Sequence, residues 1–207
     1  MVEAQIRKRG VTDERVLRAM ASVPRHEFVP AFWINQACAD EPLPIGHGQT
    51  ISQPYIVAAM AASLALTGSE KVLEIGAGCG YQAAVVSLLA KEVHTVEILP
   101  DLAQSAAERL QRLGYGNVCV HCGDGTLGWK ESSPYDAILI AAAAPAIPEP
   151  LLQQLAEGGR LIAPVGEEDK QELQLITVRD GGLRFQARGP CRFVPLVGRH
   201  GWGKIVG

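Results

Sequence analysis

The sequence contains few aromatic residues, no long apolar run and no surplus of basic charge. Aromatic side chains make up 5% of the 207 residues, and 19 Lys and Arg stand against 22 Asp and Glu, for a formal net charge of -3. Because the basic residues are scattered, a nucleic acid partner is not expected. No stretch reaches the roughly 18 consecutive apolar residues that span a bilayer, so a membrane partner is not expected either. The hydrophobic content of 47% is typical of a globular protein of one ordinary domain.

The cysteines do not form the pattern of a disulfide framework. Their number, five, is odd, and the charged segment Met1–Gly10 has no apolar signal region. We therefore expect reduced thiols and a cytoplasmic protein. Cys119 and Cys122 have the spacing of a metal-binding pair. However, a strand would turn them to opposite faces, and no second pair of ligands follows, so no metal site is expected.

Residues 1–66 are predicted to form a helical and loop-rich extension. Thr12 is the expected N-cap of a helix that ends near Ala21, with two acidic residues in its first turn. The segment from Asp40 to Pro54 is rich in Pro and Gly and has neither helical nor strand periodicity, which predicts an irregular loop. Long irregular segments in a compact chain are commonly functional. Pro54 is expected to begin the next helix.

Beyond this extension, predicted strands and helices alternate. The buried strands are predicted at Val72–Ile75, Val93–Ile98, Val118–His121, Ala137–Ile140 and Leu161–Val165. The helices are predicted at Gln82–Ala90, Asp101–Leu113 and Glu149–Ala156. This order predicts an α/β fold with a doubly wound, mostly parallel open sheet. Two further strands, Glu172–Val178 and Leu183–Gln186, flank a turn at Asp180–Gly182 and are expected to be antiparallel. We expect a single domain over 1–207, with the α/β core in 67–207.

A glycine-rich turn follows the first strand of this core and is the strongest local signal. The turn reads Gly76-Ala77-Gly78-Cys79-Gly80, and a helix is predicted to begin directly after it. In open α/β sheets ligands bind at the carboxyl ends of strands, where glycines let a cofactor approach the backbone. A dinucleotide fingerprint would have a third glycine where Tyr81 stands. The carboxylate of Glu74 would oppose a pyrophosphate but suits a cofactor with an ammonium and a sulfonium. A nicotinamide dehydrogenase is therefore disfavoured.

The ends of the next strands support the same cofactor. Glu97 closes the second strand, where an acid can accept hydrogen bonds from both ribose hydroxyls. Asp124 and Gly125 follow the third strand and are expected near an adenine. Ala141–Ala144, after the fourth strand, would give small residues along the channel. Taken jointly, this spacing resembles the seven-strand methyltransferases that use S-adenosylmethionine, and the resemblance implies a Rossmann-like core.

Further segments resemble one family of these methyltransferases. The segments are Val23–Pro30, Pro42–Pro54, Gly123–Gly125, Pro134–Ala137, Gly158–Gly166 and Phe193–Leu196. Together they resemble the protein-L-isoaspartate (D-aspartate) O-methyltransferases from about residue 4 to 203. The most specific string is Gly48-Gln49-Thr50-Ile51-Ser52-Gln53-Pro54, which methyltransferases in general lack. The resemblance implies methyl transfer from S-adenosylmethionine to the free α-carboxylate of L-isoaspartyl residues in damaged proteins, and to D-aspartyl residues less well.

The resemblance also implies roles for single residues. The active-site serine corresponds to Ser52. Cofactor contacts correspond to Gln49, Thr50, Ile51, Glu74, Gly76, Ala77, Gly78, Gly80, Glu97, Asp124 and Gly125. Substrate contacts correspond to Ile51, Ser52, Gln53, Val57 and Ala142. Cys79 stands where many members of the family have serine or threonine, and we expect little change from it.

The chemistry of the acceptor indicates what Ser52 would do. A carboxylate is ionised at neutral pH and the sulfonium methyl is already activated, so the reaction needs no general base. Ser52 would donate its hydroxyl to one carboxylate oxygen, close to the amide-rich start of the helix at Pro54. A simpler interpretation is that Ser52 only caps this helix. His47, between two glycines, is expected to be a turn residue, and Phe193–Trp202 is expected to fold back over the cofactor site.

Three interpretations of function stay open at this stage. The first is the repair methyltransferase, acting as a monomer on isoaspartyl peptides and proteins. The second is a carboxyl methyltransferase for a dedicated peptide or small-molecule acceptor, which the same glycine turn and Ser52 loop would serve. The third is a cofactor-binding module without catalysis.

Overall fold

The computed structural model describes residues 1–202. Positions 203–207 of the predicted domain lie outside the described residues, as does the end of the resemblance near residue 203. The strands are β1 (Leu43–Gly46), β2 (Gln49–Ile51), β3 (Lys71–Ile75), β4 (Glu92–Glu97), β5 (Val118–Cys122), β6 (Tyr135–Ile140), β7 (Leu155–Gly166), β8 (Gln171–Arg179) and β9 (Gly182–Cys191). The α-helices are α1 (Glu14–Ser22), α2 (Pro54–Ser63), α3 (Tyr81–Ser87), α4 (Pro100–Arg112) and α5 (Glu149–Leu152). Shorter helical turns lie at Val2–Ile6, Arg7–Arg9, Arg25–Phe28, Ala31–Gln36, Gly125–Leu127 and Lys130–Ser132.

Seven of the strands form one sheet in the order β5-β4-β3-β6-β7-β8-β9. The pairs from β5 to β7 are parallel, and β8 and β9 add to the far edge in antiparallel register. This confirms the predicted doubly wound, mostly parallel sheet with antiparallel strands at its C-terminal edge. The chain runs from β3 to β4 on one side and reaches β6 on the other, so the order reverses at β3. The carboxyl end of β3 is therefore where a ligand site is expected.

The N-terminal extension shares an apolar core with the sheet. Ile6, Leu17 and Phe28 are buried in the same cluster as Val72 of β3 and Val86 of α3. A second cluster covers the opposite face of the sheet and includes residues of β3, β6 and β7. Because the extension is packed on the core, its loop segments are held at the carboxyl ends of the strands. Within residues 1–202, every helix is too short or too polar to traverse a lipid bilayer.

Two predictions about the extension were wrong. The N-cap of α1 is Asp13, not Thr12, because the Asp13 carboxylate accepts hydrogen bonds from the amides of Arg15 and Val16. The segment from Asp40 to Pro54 is not wholly irregular, since β1 and β2 pair in it as a small antiparallel hairpin. Strands of four and three residues are too short to show an alternating pattern in the sequence.

Two helices of the core end earlier than predicted. Helix α3 ends at Ser87 rather than Ala90, where the Asn117 side chain donates to the carbonyls of both residues. Helix α5 ends at Leu152, and the buried side chain of Gln154 donates to the carbonyl of Pro150 in that helix and to that of Leu127. Both helix ends are fixed by contacts that periodicity does not reveal.

Candidate active site

The glycine turn lies at the carboxyl end of β3, next to the start of α3. Gly76 and Gly78 have φ angles of 92° and 52°, a left-handed region that favours glycine. A Cβ on Gly78 would lie 3.3 Å from the Cδ1 atom of Ile45, because the β1–β2 hairpin leans over the turn. The backbone of the turn therefore lines a cavity without covering side chains, and the β1–β2 hairpin covers part of this cavity.

This cavity brings together most of the residues that the sequence predicted for the site. The predicted residues on its wall are Gln49, Thr50, Ile51, Ser52, Val57, Gly76, Ala77, Gly78, Glu97, Gly125 and Ala142. Four predicted residues do not line it: Gln53, Glu74, Gly80 and Asp124. Val57 and Ala142, which are predicted to contact the substrate, also line this cavity.

Glu97 sits at the end of β4 with its carboxylate fixed by backbone amides. One oxygen accepts from Gly78 N at 2.8 Å and the other from Leu99 N at 3.1 Å. The residue is 6% exposed and lines the cavity. Since each carboxylate oxygen can accept a second hydrogen bond, this position can bind a pair of vicinal hydroxyls. The geometry fits the predicted ribose contact.

Glu74 lies beneath the glycine turn and not on the cavity wall. It is 1% exposed, and Thr95 Oγ1 donates to its Oε2 atom at 2.6 Å. Burial raises the pKa of Glu74 to about 8, and the nearby Glu97 adds to the rise while the Thr95 hydrogen bond opposes it. Its Oε1 atom is buried without a hydrogen-bond partner among residues 1–202. A buried, unsatisfied carboxyl group is costly, and a cation bound above the turn would relieve this cost.

Asp124 turns its carboxylate toward the C-terminal segment. Its Oδ1 atom accepts from the amide and hydroxyl of Thr126 at 2.9 and 2.6 Å, and its Oδ2 atom accepts from Arg199 N at 2.8 Å. Gly125, next to it, does line the cavity, and a Cβ there would lie 2.5 Å from Cγ2 of Ile75. The position thus requires glycine. The Asp124 carboxylate, which does not line the cavity, supports its wall by holding Thr126 and Arg199.

The C-terminal segment folds over the cavity, as the sequence predicted. Val194, Pro195, Leu196 and Val197 form part of its wall. The backbone of Ala143 exchanges hydrogen bonds with the segment: its amide donates to Val194 O at 2.8 Å, and its carbonyl accepts from Leu196 N at 2.7 Å and from the Trp202 indole at 2.9 Å. These hydrogen bonds fix the C-terminal segment to the residues that directly follow β6.

An open groove joins the cavity at Ser52. The groove is lined by Arg9, Pro42, Thr50, Ser52, Gln53, Tyr55, Ile56, Ala141, Glu168, Asp169, Pro190, Cys191, Arg192, Phe193, Val194 and Pro195. Five residues line both spaces: Thr50, Ser52, Ala141, Val194 and Pro195. Ser52 therefore stands where a molecule in the cavity and a chain in the groove would meet.

Asp40 caps α2 from 15 positions before Tyr55, a contact that no local sequence pattern predicts. Its Oδ1 atom accepts from Tyr55 N at 3.0 Å, and its Oδ2 atom accepts from Gln53 Nε2 at 2.9 Å and Arg9 Nη1 at 2.7 Å. The N-cap residue itself is Gln53, without a side-chain capping bond, so the interpretation of Ser52 as a helix cap is wrong. Since Asp40 already occupies part of the helix N-terminus, the dipole is less available to an anion near Ser52 than expected.

His47 and Cys79 stay outside the polar chemistry of the site. His47 has a φ angle of 52° at the tip of the β1–β2 hairpin, and its Nε2 atom lies 3.8 Å from Asp101 Oδ2. It lines neither the cavity nor the groove, in keeping with a turn residue. Cys79 lines the cavity, and burial raises the pKa of its thiol to about 11. The thiol is therefore neutral at physiological pH.

Comparison with known proteins gives matches over nearly the whole chain. A family model described as protein-L-isoaspartate(D-aspartate) O-methyltransferase matches residues 1–201. Protein-L-isoaspartate O-methyltransferase 1 of Syntrophobacter fumaroxidans is 55% identical over 202 residues, which are 98% of this chain and 94% of that protein. The protein-L-isoaspartate O-methyltransferase of Geobacter metallireducens is 53% identical over 205 residues, with the same coverage of 98% and 94%.

Solved structures give the same result. A protein-L-isoaspartate O-methyltransferase structure superposes with a TM-score of 0.86 at 33% identity and covers 94% of this chain and 64% of its own. A structure from Plasmodium falciparum, described as a putative protein-L-isoaspartate O-methyltransferase in complex with S-adenosyl-L-homocysteine, gives a TM-score of 0.79 at 25% identity over 92% of this chain and 94% of its own. From the family match over residues 1–201 and the 53–55% identity of relatives that match 98% of its length, the chain belongs to the protein-L-isoaspartate(D-aspartate) O-methyltransferase family.

Proposed function

We infer that this chain is an S-adenosylmethionine-dependent methyltransferase that acts on the free α-carboxylate of L-isoaspartyl residues in damaged proteins and so begins their repair. The observation that carries the inference is the position of Ser52, at the junction of the cofactor cavity and the open groove. The family match over residues 1–201 and the relatives named protein-L-isoaspartate O-methyltransferase support this inference.

The residues of the cavity fit the cofactor. Glu97 would accept hydrogen bonds from the ribose hydroxyls, and the bare backbone of Gly76–Gly78 leaves room for the amino acid part. The orphaned Oε1 atom of Glu74 beneath the turn is an observation that favours a cationic ligand above it. Gly125 and the C-terminal segment would enclose the adenine.

The role proposed for this chain is alignment rather than acid–base chemistry. When bound, S-adenosylmethionine supplies an activated methyl group on a sulfonium. The Ser52 hydroxyl would donate to one oxygen of the acceptor carboxylate and leave the other free to attack. Neither reactant needs a proton removed, because the carboxylate is ionised at neutral pH. Alignment of two reactants in this way accounts for several kcal/mol of barrier lowering.

The finer assignments are part of the same proposal. D-aspartyl residues are accepted less well, Gln53 and Ser52 contact the substrate, and residues 1–207 act as one domain and as a monomer without a nucleic acid partner. A reducing compartment such as the cytoplasm is supported by the five cysteines, all of which are free thiols in the structure.

The test compares one peptide in its L-isoaspartyl and L-aspartyl forms with methyl-labelled S-adenosylmethionine. We expect label on the isoaspartyl form alone, as a base-labile ester. Equal labelling of both forms would replace the repair function with a carboxyl methyltransferase for a dedicated acceptor. Tight cofactor binding by calorimetry with no label on either form would point to the non-catalytic module.

A further inference from the structure

Arg25 is a buried cation whose partners are backbone carbonyls rather than a carboxylate. It is 2% exposed, and its guanidinium donates to Ala37 O at 2.7 Å, to Ser52 O at 2.9 Å and to Glu41 O at 3.4 Å. Burial lowers the pKa of this guanidinium, but an arginine remains protonated far above neutral pH. A buried charge of this kind is costly, so the three carbonyls that it satisfies are an essential part of its environment.

The three carbonyls belong to separate parts of the acceptor loop, residues 37–52, which contains the β1–β2 hairpin and Ser52. Ala37 and Glu41 lie on either side of Asp40, which caps α2, and Ser52 precedes the N-cap residue of that helix, Gln53. The planar guanidinium has five donors in a fixed fork, so it can hold several acceptors at set angles. Arg25 thus ties the two ends of the β1–β2 hairpin to each other at the backbone of Ser52.

The same side chain also touches the cofactor side of the site. The Arg25 guanidinium lies over the Tyr81 ring, with its carbon atom 4.8 Å from the ring centre. Tyr81 is the first residue of α3, directly after the glycine turn, and it lines the cofactor cavity. One buried residue therefore spans from the wall of the cofactor cavity to the backbone that carries the acceptor-orienting hydroxyl.

We propose that Arg25 is a positioning residue for methyl transfer: its guanidinium sets the Ser52 backbone relative to the cofactor turn, so that the hydroxyl presents the acceptor carboxylate to the methyl group. This role rests on the proposed function. It acts through Ser52 and Tyr81 and involves no contact of Arg25 with either reactant. Errors of about 1 Å in reactant alignment can cost on the order of 100-fold in rate. The fork geometry, and not the charge alone, is what the position requires.

The test uses Arg25→Lys, which keeps the charge and loses the fork, with Arg160→Lys as the matched control. Arg160 is partly buried, donates to a backbone carbonyl, that of Ala65, and lies 3.7 Å from Glu70, but it lines neither the cavity nor the groove. We expect kcat for an isoaspartyl peptide at saturating cofactor to fall at least about tenfold in Arg25→Lys, with cofactor Kd changed by less than about threefold. Arg160→Lys should keep the wild-type kcat.

Two further measurements separate positioning from simple structural support. In Arg25→Ala, millimolar guanidinium should restore part of kcat, while ammonium at equal ionic strength should not. Tyr81→Leu removes the ring and keeps Arg25, and at saturating cofactor it should lower kcat in the same direction. If neither Arg25 variant folds, Tyr81→Leu decides: a wild-type kcat would overturn the proposal.

These experiments distinguish failure of the proposed function from failure of the positioning role of Arg25. If the wild-type protein places no label on the isoaspartyl peptide, the proposed function fails and the positioning role falls with it. If the wild type is active and folded Arg25→Lys keeps its kcat while only its melting temperature drops, the function stands and Arg25 is merely structural.

Discussion

The cofactor side of the site and its acceptor side are held by different kinds of contact. On the cofactor side, the glycine turn and Glu97 sit at the ends of adjacent parallel strands, and backbone amides fix the carboxylate. On the acceptor side, the Ser52 loop is held by the side chains of Arg25 and Asp40, which reach across to backbone groups of other segments. The first arrangement is a property of the sheet, whereas the second depends on a few polar side chains.

This difference teaches where each half of the site is vulnerable. A change at a strand end should weaken cofactor binding and leave the acceptor loop in place. A change in the acceptor loop should lower methyl transfer and leave cofactor affinity nearly intact. Single substitutions on each side of the site test this separation.

Glu97→Ala should raise the Kd for S-adenosylhomocysteine about 100-fold. The variant removes the acceptor for two backbone amides and for the proposed ribose hydroxyls, and hydrogen bonds to a charged group contribute about 1.5–3 kcal/mol each. Calorimetric titration measures the change. Glu108→Ala, on the exposed face of α4, is the control and should bind like the wild type. Unchanged affinity in Glu97→Ala would refute the assignment of Glu97.

Ser52→Ala should lower kcat about 30-fold, as expected for the loss of one hydrogen bond to a charged group worth about 2 kcal/mol. Cofactor Kd should stay the same, since the neighbouring backbone keeps its place through Arg25. Initial rates with an isoaspartyl peptide at saturating cofactor give the comparison. Ser63→Ala, in the last turn of α2, serves as the matched control. Wild-type turnover by Ser52→Ala would remove the catalytic assignment.

Cofactor affinity should rise with pH below 8, by up to about tenfold per pH unit and less steeply close to 8. In the free protein burial raises the pKa of Glu74 to about 8, so its carboxyl is mostly protonated at neutral pH. A cation bound above the turn favours the ionised form and lowers this pKa, so binding releases a proton and is tighter at higher pH. Above pH 8 the contribution levels off.

Comparison with Glu74→Gln isolates this contribution from the titration of the cofactor itself. The amide cannot ionise, so the part of the pH dependence that belongs to Glu74 should vanish in the variant. Calorimetry in buffers of different ionisation enthalpy counts the released protons directly. Equal pH profiles for the two proteins would mean that Glu74 does not sense the ligand.

Asp124→Asn should have the smallest effect, with cofactor Kd raised by no more than about threefold. The carboxylate faces Thr126 and Arg199 rather than the cavity, so the substitution weakens the wall without removing a ligand contact. Asp136→Asn makes a matched control, because Asp136 also accepts from a distant backbone amide, that of Lys71. If Asp124→Asn raised the cofactor Kd as much as Glu97→Ala, the Asp124 carboxylate would have to turn into the cavity and contact the adenine.

The cofactor half could be predicted well because its signals are local. The run from Val72 to Tyr81 holds a strand, a turn and a helix start in ten consecutive positions, and the structure places the helix start directly after the turn. Glu97 ends the next strand, β4, and the parallel pairing of β4 with β3 brings the ends of the two strands side by side. Gly125 was found in the same way. Glu74, Asp124 and Gly80 do not line the cavity as predicted, and for the two carboxylates burial and hydrogen bonding decide where the side chain points.

The acceptor half was predicted from resemblance, and its supports were not predicted at all. Arg25 and Ser52 are 27 positions apart, and Asp40 and Tyr55 are 15 positions apart. No periodicity or capping rule links residues at such separations. The N-cap of α1 is a different case: Thr12 and Asp13 are adjacent, both residue types cap helices, and aspartate does so more strongly.

The sequence by itself determined the order of strands and helices, the glycine turn and the type of cofactor, because hydrophobic period and backbone preference act over a few residues. The tertiary structure alone decided that Ser52 is free of the helix cap, that Glu74 is buried as a group of raised pKa, and that Arg25 connects the two halves. These features depend on desolvation and on hydrogen bonds between segments distant in sequence, which exist only once the chain has folded.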